Sequence, residues 1–299
     1  MRAPDVLEEA RALVPGLEPA PGRVRRSVKC VLVPCAVRGR AAIVKKLYGP
    51  DAPWRWYLAR EIALGRAFAR DPPPVRVPRL LAGDAARGLV VMERLSGRPL
   101  GAVRHDPRGR AVASDEAWRT LLELRCAIAA WSPPATITSA PAPDAATRAE
   151  MRARLLEDPS APLAWAADGL ARCAALGLLD ARDAARLTHA IDADGARFQH
   201  GDLLLRNVVC DREGALAVVD WECAGPHPRA WDAALLSVWA PRWAREALRA
   251  EHAAEAFDAC AAFALARELA FRRSRGASDP VSARLRADLA ALLARTPAC

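Results

Sequence analysis

The chain has 299 residues, 52% of them hydrophobic, enough for one large domain or two small ones with a sizeable core, and no apolar run approaches the roughly 18 residues of a membrane span. Its net charge of +9 sits wholly in the first third: residues 1–96 hold 18 Lys/Arg against 9 Asp/Glu and residues 97–299 hold 26 of each, without the interleaved basic and aromatic pattern or motif of a nucleic-acid binder. Eight cysteines, at 30, 35, 126, 173, 210, 223, 260 and 299, form no C-x-x-C pair and no zinc spacing, and Met1-Arg2-Ala3-Pro4-Asp5 opens no apolar signal region, so a cytoplasmic protein with reduced thiols and no membrane or nucleic-acid partner is expected.

From the start of the chain, Val6, Ala10, Leu13 and Val14 share a face and predict a helix over 5–14, which Pro15, Pro19 and Pro21 end. Residues 23–37 read as strand, Arg38-Gly39-Arg40 as a turn and residues 41–47 as a second strand. Tyr57, Leu58, Ile62, Leu64 and Phe68 predict a helix over 55–69. The Pro-rich stretch 71–78 excludes helix, and Leu80-Leu81 with 89–92 reads as a hairpin. Beyond residue 100 the pattern turns helical, at 115–130, 147–157, 161–176, 180–193, 230–273 and 280–295. A Pro/Ala/Thr-rich loop is predicted at 132–146 and two short strands around 203–220. Strands followed by helices mean α+β, with a small sheet domain over 1–95 and a larger helical one over 96–299.

Arginine is abundant, yet only Lys29, Lys45 and Lys46 are lysines. A compact ammonium does not substitute freely for a planar guanidinium, which marks these positions for a role.

The chemistry concentrates in Gln199-His200-Gly201-Asp202-Leu203-Leu204-Leu205-Arg206-Asn207, followed thirteen residues later by Asp220-Trp221-Glu222. Phosphoryl transfer to an alcohol needs one carboxylate to orient the hydroxyl and accept its proton, and oxygen ligands for magnesium on the nucleotide phosphates. Asp202 suits the first task; Asn207 and Asp220 suit the second. Apolar residues at 203–205, 208–209 and 216–219 place these groups at the ends of buried strands, where an unpaired carboxylate is costly.

H-G-D-x-x-x-x-N with the following D-W-E resembles the aminoglycoside phosphotransferase and choline kinase group, relatives of protein kinases. The resemblance implies a bilobal protein-kinase-like fold, with an antiparallel-sheet N-lobe and a mainly helical C-lobe. It also implies Asp202 as catalytic base, Asn207 and Asp220 as magnesium ligands, and ATP or GTP as phosphoryl donor. His200 would brace the loop, and Asp232, seven residues past Gly225, would anchor it from a helix start. Ala42-Ile43-Val44-Lys45 matches the strand whose lysine contacts the α/β-phosphates, and Glu61 the helix glutamate paired with it. Lys46 competes; adjacent strand residues face opposite ways, and the motif's register favours Lys45. Backbone groups near Glu93 and Leu95 would bind the adenine edge, with Met92 in the core. The turn over 23–31 lacks a G-x-G-x-x-G; Ser27 and Lys29 are its candidate phosphate contacts, against exposed strand positions.

The implied acceptor is a hydroxyl of a small molecule, an antibiotic first, with sugars, amino alcohols or amino acids as the alternative and a nucleotide-binding pseudo-enzyme as the third reading. The protein is expected as monomer or dimer. Glu246, Glu251, Glu255, Asp258 and Glu268 are acidic candidates for the acceptor site, at spacings that suit solvated helix faces. Trp231, Trp239 and Trp243 suit one buried helix face better than a cation cage.

Overall fold

The computed structural model describes residues 1–101, 113–138, 142–274, 276 and 279–295. Within them the chain runs α1 (Ala3–Arg11), β1 (Leu17–Pro19), β2 (Arg25–Arg26), β3 (Cys30–Val37), β4 (Arg40–Leu47), α2 (Ala52–Phe68), β5 (Leu80–Asp84), β6 (Leu89–Glu93), β7 (Arg98–Pro99), α3 (Asp115–Ala130), α4 (Ala135–Thr138) and α5 (Ala145–Ala153). There follow α6 (Pro162–Ala175), α7 (Ala181–Asp194), β8 (Ala196–Gln199), β9 (Val208–Cys210), β10 (Leu216–Val218), β11 (Gly225–Pro228), α8 (Trp231–Ser237), α9 (Arg242–Ala250), α10 (Ala254–Ser274) and α11 (Pro280–Arg295). Single 3-10 turns occupy Leu205–Asn207 and Trp221–Cys223. The chain divides into two compact units, one of 1–98, 133–143 and 209–223, the other of 99–132, 144–208 and 224–299.

The first unit is built on an antiparallel sheet of order β1-β3-β4-β6-β5, with β2 also paired to β3. Period-two alternation decides what lies on each face. Val31, Val33, Cys35, Ala42, Val44, Leu89 and Val91 point to one side and bury Val6, Leu7 and Ala10 of α1. Cys30, Leu47 and Val90 point to the other and bury Leu58 and Ile62 of α2. Arg38 and Gly39 close the β3–β4 hairpin, both at positive φ (51° and 75°), the twist a two-residue turn needs to match its strands.

The second unit is helical apart from the antiparallel pair β8–β11. Its core centres on α10, where every residue from Ala256 to Ala266 is buried. The rings of Trp165, Trp231 and Phe263 pack there at centroid distances of 4.8 to 5.4 Å. Gly169 of α6 lets Phe263 in: a Cβ at 169 would sit 2.3 Å from the Phe263 ring. Alanine would gain helix propensity of about 1 kcal/mol, but the ring is wedged between two tryptophans and cannot yield, and overpacking costs about 1–3 kcal/mol. Gly169→Ala should therefore lower stability by a net of up to about 2 kcal/mol, read as a lower urea midpoint at unchanged slope.

Several elements differ from the sequence expectation. Residues 23–37 are two strands separated by a turn, because Ser27 folds the chain back on Cys30. The 147–157 helix stops at Ala153; Leu155 takes a left-handed φ of 55°. The 230–273 stretch is three helices, broken before Pro241 and again between Ala250 and Ala254. Residues 203–205 are not strand: Leu203 and Leu204 are irregular and Leu205 opens a 3-10 turn. The 132–146 loop contains α4; its residues 139–141, and Cys299, lie outside the described residues. The other seven cysteines are free thiols.

Candidate functional site

In the first unit the parity of β4 separates its two lysines. Lys46 shares the α1 face, where its ammonium bonds Glu9 and the Arg87 carbonyl. Lys45, one residue earlier, points to the α2 face. Its Nζ lies 2.8 Å from Glu61 of α2, 2.8 Å from Glu222 and 3.5 Å from Asp220. The structure thus brings Lys45, Glu61 and Asp220 together.

Glu222 is the member that sequence reasoning missed. It is buried, with one carboxylate oxygen on Lys45 and the other on Lys29. The available signals were its place in D-W-E and the clustering of scarce lysines. Burial by itself would lower the Lys45 ammonium, but Glu222, Glu61 and Asp220 outweigh it and hold its pKa well above the usual value. Burial pushes the Glu61 carboxyl up, against the pull of Lys45. Two ammoniums and three carboxylates leave this cluster at −1 when all are charged.

Asp220 is held at φ 64°, a left-handed conformation that costs a non-glycine residue about 1–2 kcal/mol. The next residue fixes it: Trp221 packs edge-on against Phe68 at 5.0 Å, and its Nε1–H donates to the Val218 carbonyl at 2.9 Å. The Asp220 side chain is 36% exposed.

In the second unit the loop after β8 is clamped from α8. The Asp232 carboxylate accepts the backbone N–H of His200 at 2.9 Å and of Gly201 at 3.0 Å. The Asp232 N–H donates to Gln199 Oε1 at 2.9 Å, and Trp231 Nε1–H to the Gly201 carbonyl at 3.0 Å. His200 is fully buried, and its Nδ1 accepts the Asp202 N–H at 3.3 Å. Burial pushes the Asp232 carboxyl up despite His200 and these donors.

Asp202 itself is 23% exposed at its side chain. Its carboxylate accepts from Arg206 at 2.8 and 3.1 Å and from Asn207 Nδ2 at 2.9 Å. Asn207 Nδ2 also donates to the Asp202 carbonyl at 2.7 Å. With both amide hydrogens so engaged, the Asn207 Oδ1 is turned the other way, as an acceptor. Such an oxygen is a hard donor of the kind magnesium takes, and the Asp220 carboxylate of the first unit is by itself another.

Near Asp202, Glu157 is buried and ion-paired with Arg267, whose Nε–H also donates to the Leu155 carbonyl at 2.7 Å. Burial raises the Glu157 carboxyl; Arg267 opposes and Asp202 adds to the rise. Glu268 pairs with Arg272 at 3.5 Å. Asp258 is buried against Arg249, at 2.8 and 2.9 Å, rather than solvated. Glu251 pairs with the buried Arg125. Trp231 is core, whereas Trp239 and Trp243 lie under Arg284 and Arg119 respectively, so the three form no cage.

Of the remaining expected contacts, Ser27 is engaged within its own turn, where its Oγ accepts the N–H of Lys29 at 3.3 Å and of Cys30 at 3.1 Å. Glu93 ends β6; its N–H donates to the Arg79 carbonyl at 2.8 Å and its carboxylate accepts from Arg76 at 2.9 Å. Leu95 lies in the irregular segment beyond, its N–H bonded to no other described residue.

A family model described as a phosphotransferase enzyme family matches residues 38–271. Among solved structures, the macrolide 2'-phosphotransferase MphH of Brachybacterium faecium is 20% identical with a TM-score of 0.58, each chain covered to 99%. Choline kinase LicA of Streptococcus pneumoniae is 12% identical with a TM-score of 0.54, covering 97% of this chain and 98% of its own. The GDP and kanamycin complex of APH(2")-IIia is 16% identical with a TM-score of 0.56, covering 95% and 94%. No curated protein sequence matches the chain. At such identities the structural likeness is one of fold, α+β and protein-kinase-like.

Proposed function

The chain belongs to the phosphotransferase enzyme family, and from that premise we propose that it transfers the γ-phosphoryl group of ATP or GTP to a hydroxyl of a small molecule, an antibiotic being the first candidate. The observation that carries this reading is the formed Lys45–Glu61 pair with Asp220 3.5 Å from the same ammonium. Kinase-type transfer requires that pair and that carboxylate in place, and a degenerate pseudo-enzyme has no need to keep them.

Each residue then has a task. Lys45 neutralises the α/β-phosphates, with Glu61 holding its stem in line. Asp220, and separately Asn207 of the second unit, are the residues whose oxygens would hold magnesium, which would supply charge neutralisation on the nucleotide phosphates. Asp202 orients the acceptor hydroxyl and takes its proton as the new oxygen–phosphorus bond forms and the nucleoside diphosphate leaves. The Leu95 N–H, without a partner among the described residues, and the backbone at Glu93 meet the purine edge. Ser27 shapes the turn that carries Lys29.

The acceptor's charge follows from the carboxylates of the second unit. Asp202 is matched by Arg206, Glu157 by Arg267 and Glu268 by Arg272. A polycation would have to displace Arg267 and Arg272 from their more buried pairs with Glu157 and Glu268, and a charge left unpaired there is costly. This supports an acceptor that is neutral or carries one amine, whether an antibiotic of that kind or a metabolite.

The test is a transfer screen. Protein, magnesium and ATP or GTP are incubated with macrolides, aminoglycosides, choline, ethanolamine and simple sugars, and products are weighed for one added phosphate. Phosphorylation of a low-charge hydroxyl compound is the expected result. Preference for an aminoglycoside would overturn the charge argument and keep the reaction. Full nucleotide binding with no product across the panel and no slow hydrolysis would favour the pseudo-enzyme.

A further inference from the structure

We propose that Lys29 is a second phosphate-binding residue, an ammonium carried on the β2–β3 turn that does the work of the missing glycine-rich loop. The inference rests on the nucleotide-binding reading above and adds to it a specific contact.

A glycine-rich loop binds phosphate through backbone N–H groups that approach closely and point at the anion. The β2–β3 turn has most such groups already engaged. No glycine lies between Gly22 and Gly39. The N–H groups of Lys29 and Cys30 already donate to Ser27 Oγ, and the Ser27 N–H donates to the Cys30 carbonyl at 2.9 Å. Three of the turn's four amides are thus turned inward, that of Val28 being the exception. What it projects toward the cluster is a side chain.

That side chain reaches the right place. Lys29 Nζ bonds the same Glu222 carboxylate whose other oxygen bonds Lys45. The two ammoniums flank one carboxylate, so Lys29 stands beside the lysine assigned to the phosphates. The Trp54 ring lies 5.0 Å from its Nζ and steadies it by cation–π attraction. The side chain is 19% exposed, open enough to exchange partners. Burial alone would lower its pKa, but Glu222 and Asp220 more than reverse this and keep it protonated.

Lysine suits the task better than the arginine this chain otherwise prefers. Its four-carbon stem carries a point charge with three rotatable donors. The ammonium can swing from Glu222 to a phosphate oxygen while Glu222 stays on Lys45. A guanidinium would hold Glu222 in a bidentate pair and resist the exchange.

The experiment compares magnesium–ATP with adenosine by titration calorimetry on wild type, Lys29→Met and Lys29→Arg, with urea midpoints as a fold control. Loss of one charge-assisted contact should weaken magnesium–ATP about ten- to a hundredfold in Lys29→Met. Adenosine, which has no phosphate, should bind within about twofold of wild type. Lys29→Arg should recover part of the ATP affinity. Equal losses for ATP and adenosine, or unchanged ATP affinity in Lys29→Met, would overturn the role of Lys29 and leave the nucleotide reading intact. A wild type that binds neither ligand would overturn both.

Discussion

Replacing Asp202 with asparagine should leave nucleotide affinity unchanged and slow phosphoryl transfer about 10²- to 10⁴-fold, the usual contribution of a positioned general base. The substitution is nearly isosteric, and the loop around it is held by other groups. Asp232 fixes the backbone at His200 and Gly201, and Asn207 still donates to the carbonyl of residue 202. What the variant loses at rest is the ion pair with Arg206, whose side chain is 43% exposed. Such a pair contributes at most about 1 kcal/mol, so the fold should survive. Single-turnover rates with a phosphorylated acceptor as readout, beside calorimetric nucleotide affinity, separate the two effects. Turnover within about threefold of wild type would remove Asp202 from the chemistry, since no base contributes so little.

The second large effect is expected on stability. Asp232→Ala should lower the unfolding free energy by about 2–5 kcal/mol, because it strips the acceptor from two buried N–H groups at about 1–3 kcal/mol each. Part of that loss is offset, since the carboxylate's own burial is unfavourable and raises its pKa. Against a total of about 5–15 kcal/mol for an ordinary domain, the variant should be marginal at best. Asp232→Asn is the sharper probe. Its amide keeps one acceptor oxygen but turns an NH₂ group toward the second N–H, so about half the loss should remain. A urea midpoint unchanged in both variants would mean that the loop is held by other means. Transfer activity should fall with the midpoint, as the backbone that carries Asp202 is the element released.

The sequence made the local parts of this site readable. Asp202 and Asn207 are five residues apart and meet through a single 3-10 turn, so the motif alone carried their contact. Alternation along β4 separated Lys45 from Lys46 before any coordinates, since adjacent strand residues must part. The α3 helix was equally plain from the spacing of Trp118, Leu121, Leu122 and Ile128, and the β3–β4 hairpin from its turn residues. Glu222 was not readable in the same way. Its partners lie 177 and 193 residues earlier in the chain, and nothing local distinguishes a buried carboxylate bridging two lysines from a solvated one. The β8–β11 pair was hidden for another reason. Its strands have four residues each, and one is Gly-Pro-His-Pro, too short and too proline-rich to signal a ladder. Asp258 misled because helical spacing reports which face a residue is on, and not whether an arginine from α9 waits there.

The left-handed backbone at Asp220 has a consequence for how this protein could decay. Aspartate is one base change from glycine and one from asparagine, the two residues most at ease in that conformation. Either replacement would relieve the turn while removing the carboxylate. Most mutations that abolish an activity also erode the fold, or leave it no better. If Asp220 has the role proposed for it, the easiest genetic route to an inactive protein leads downhill in conformational energy as well. A lineage in which the activity had ceased to matter would be expected to lose its aspartate at 220 early, and to keep Asp232, on which the fold depends, long afterwards.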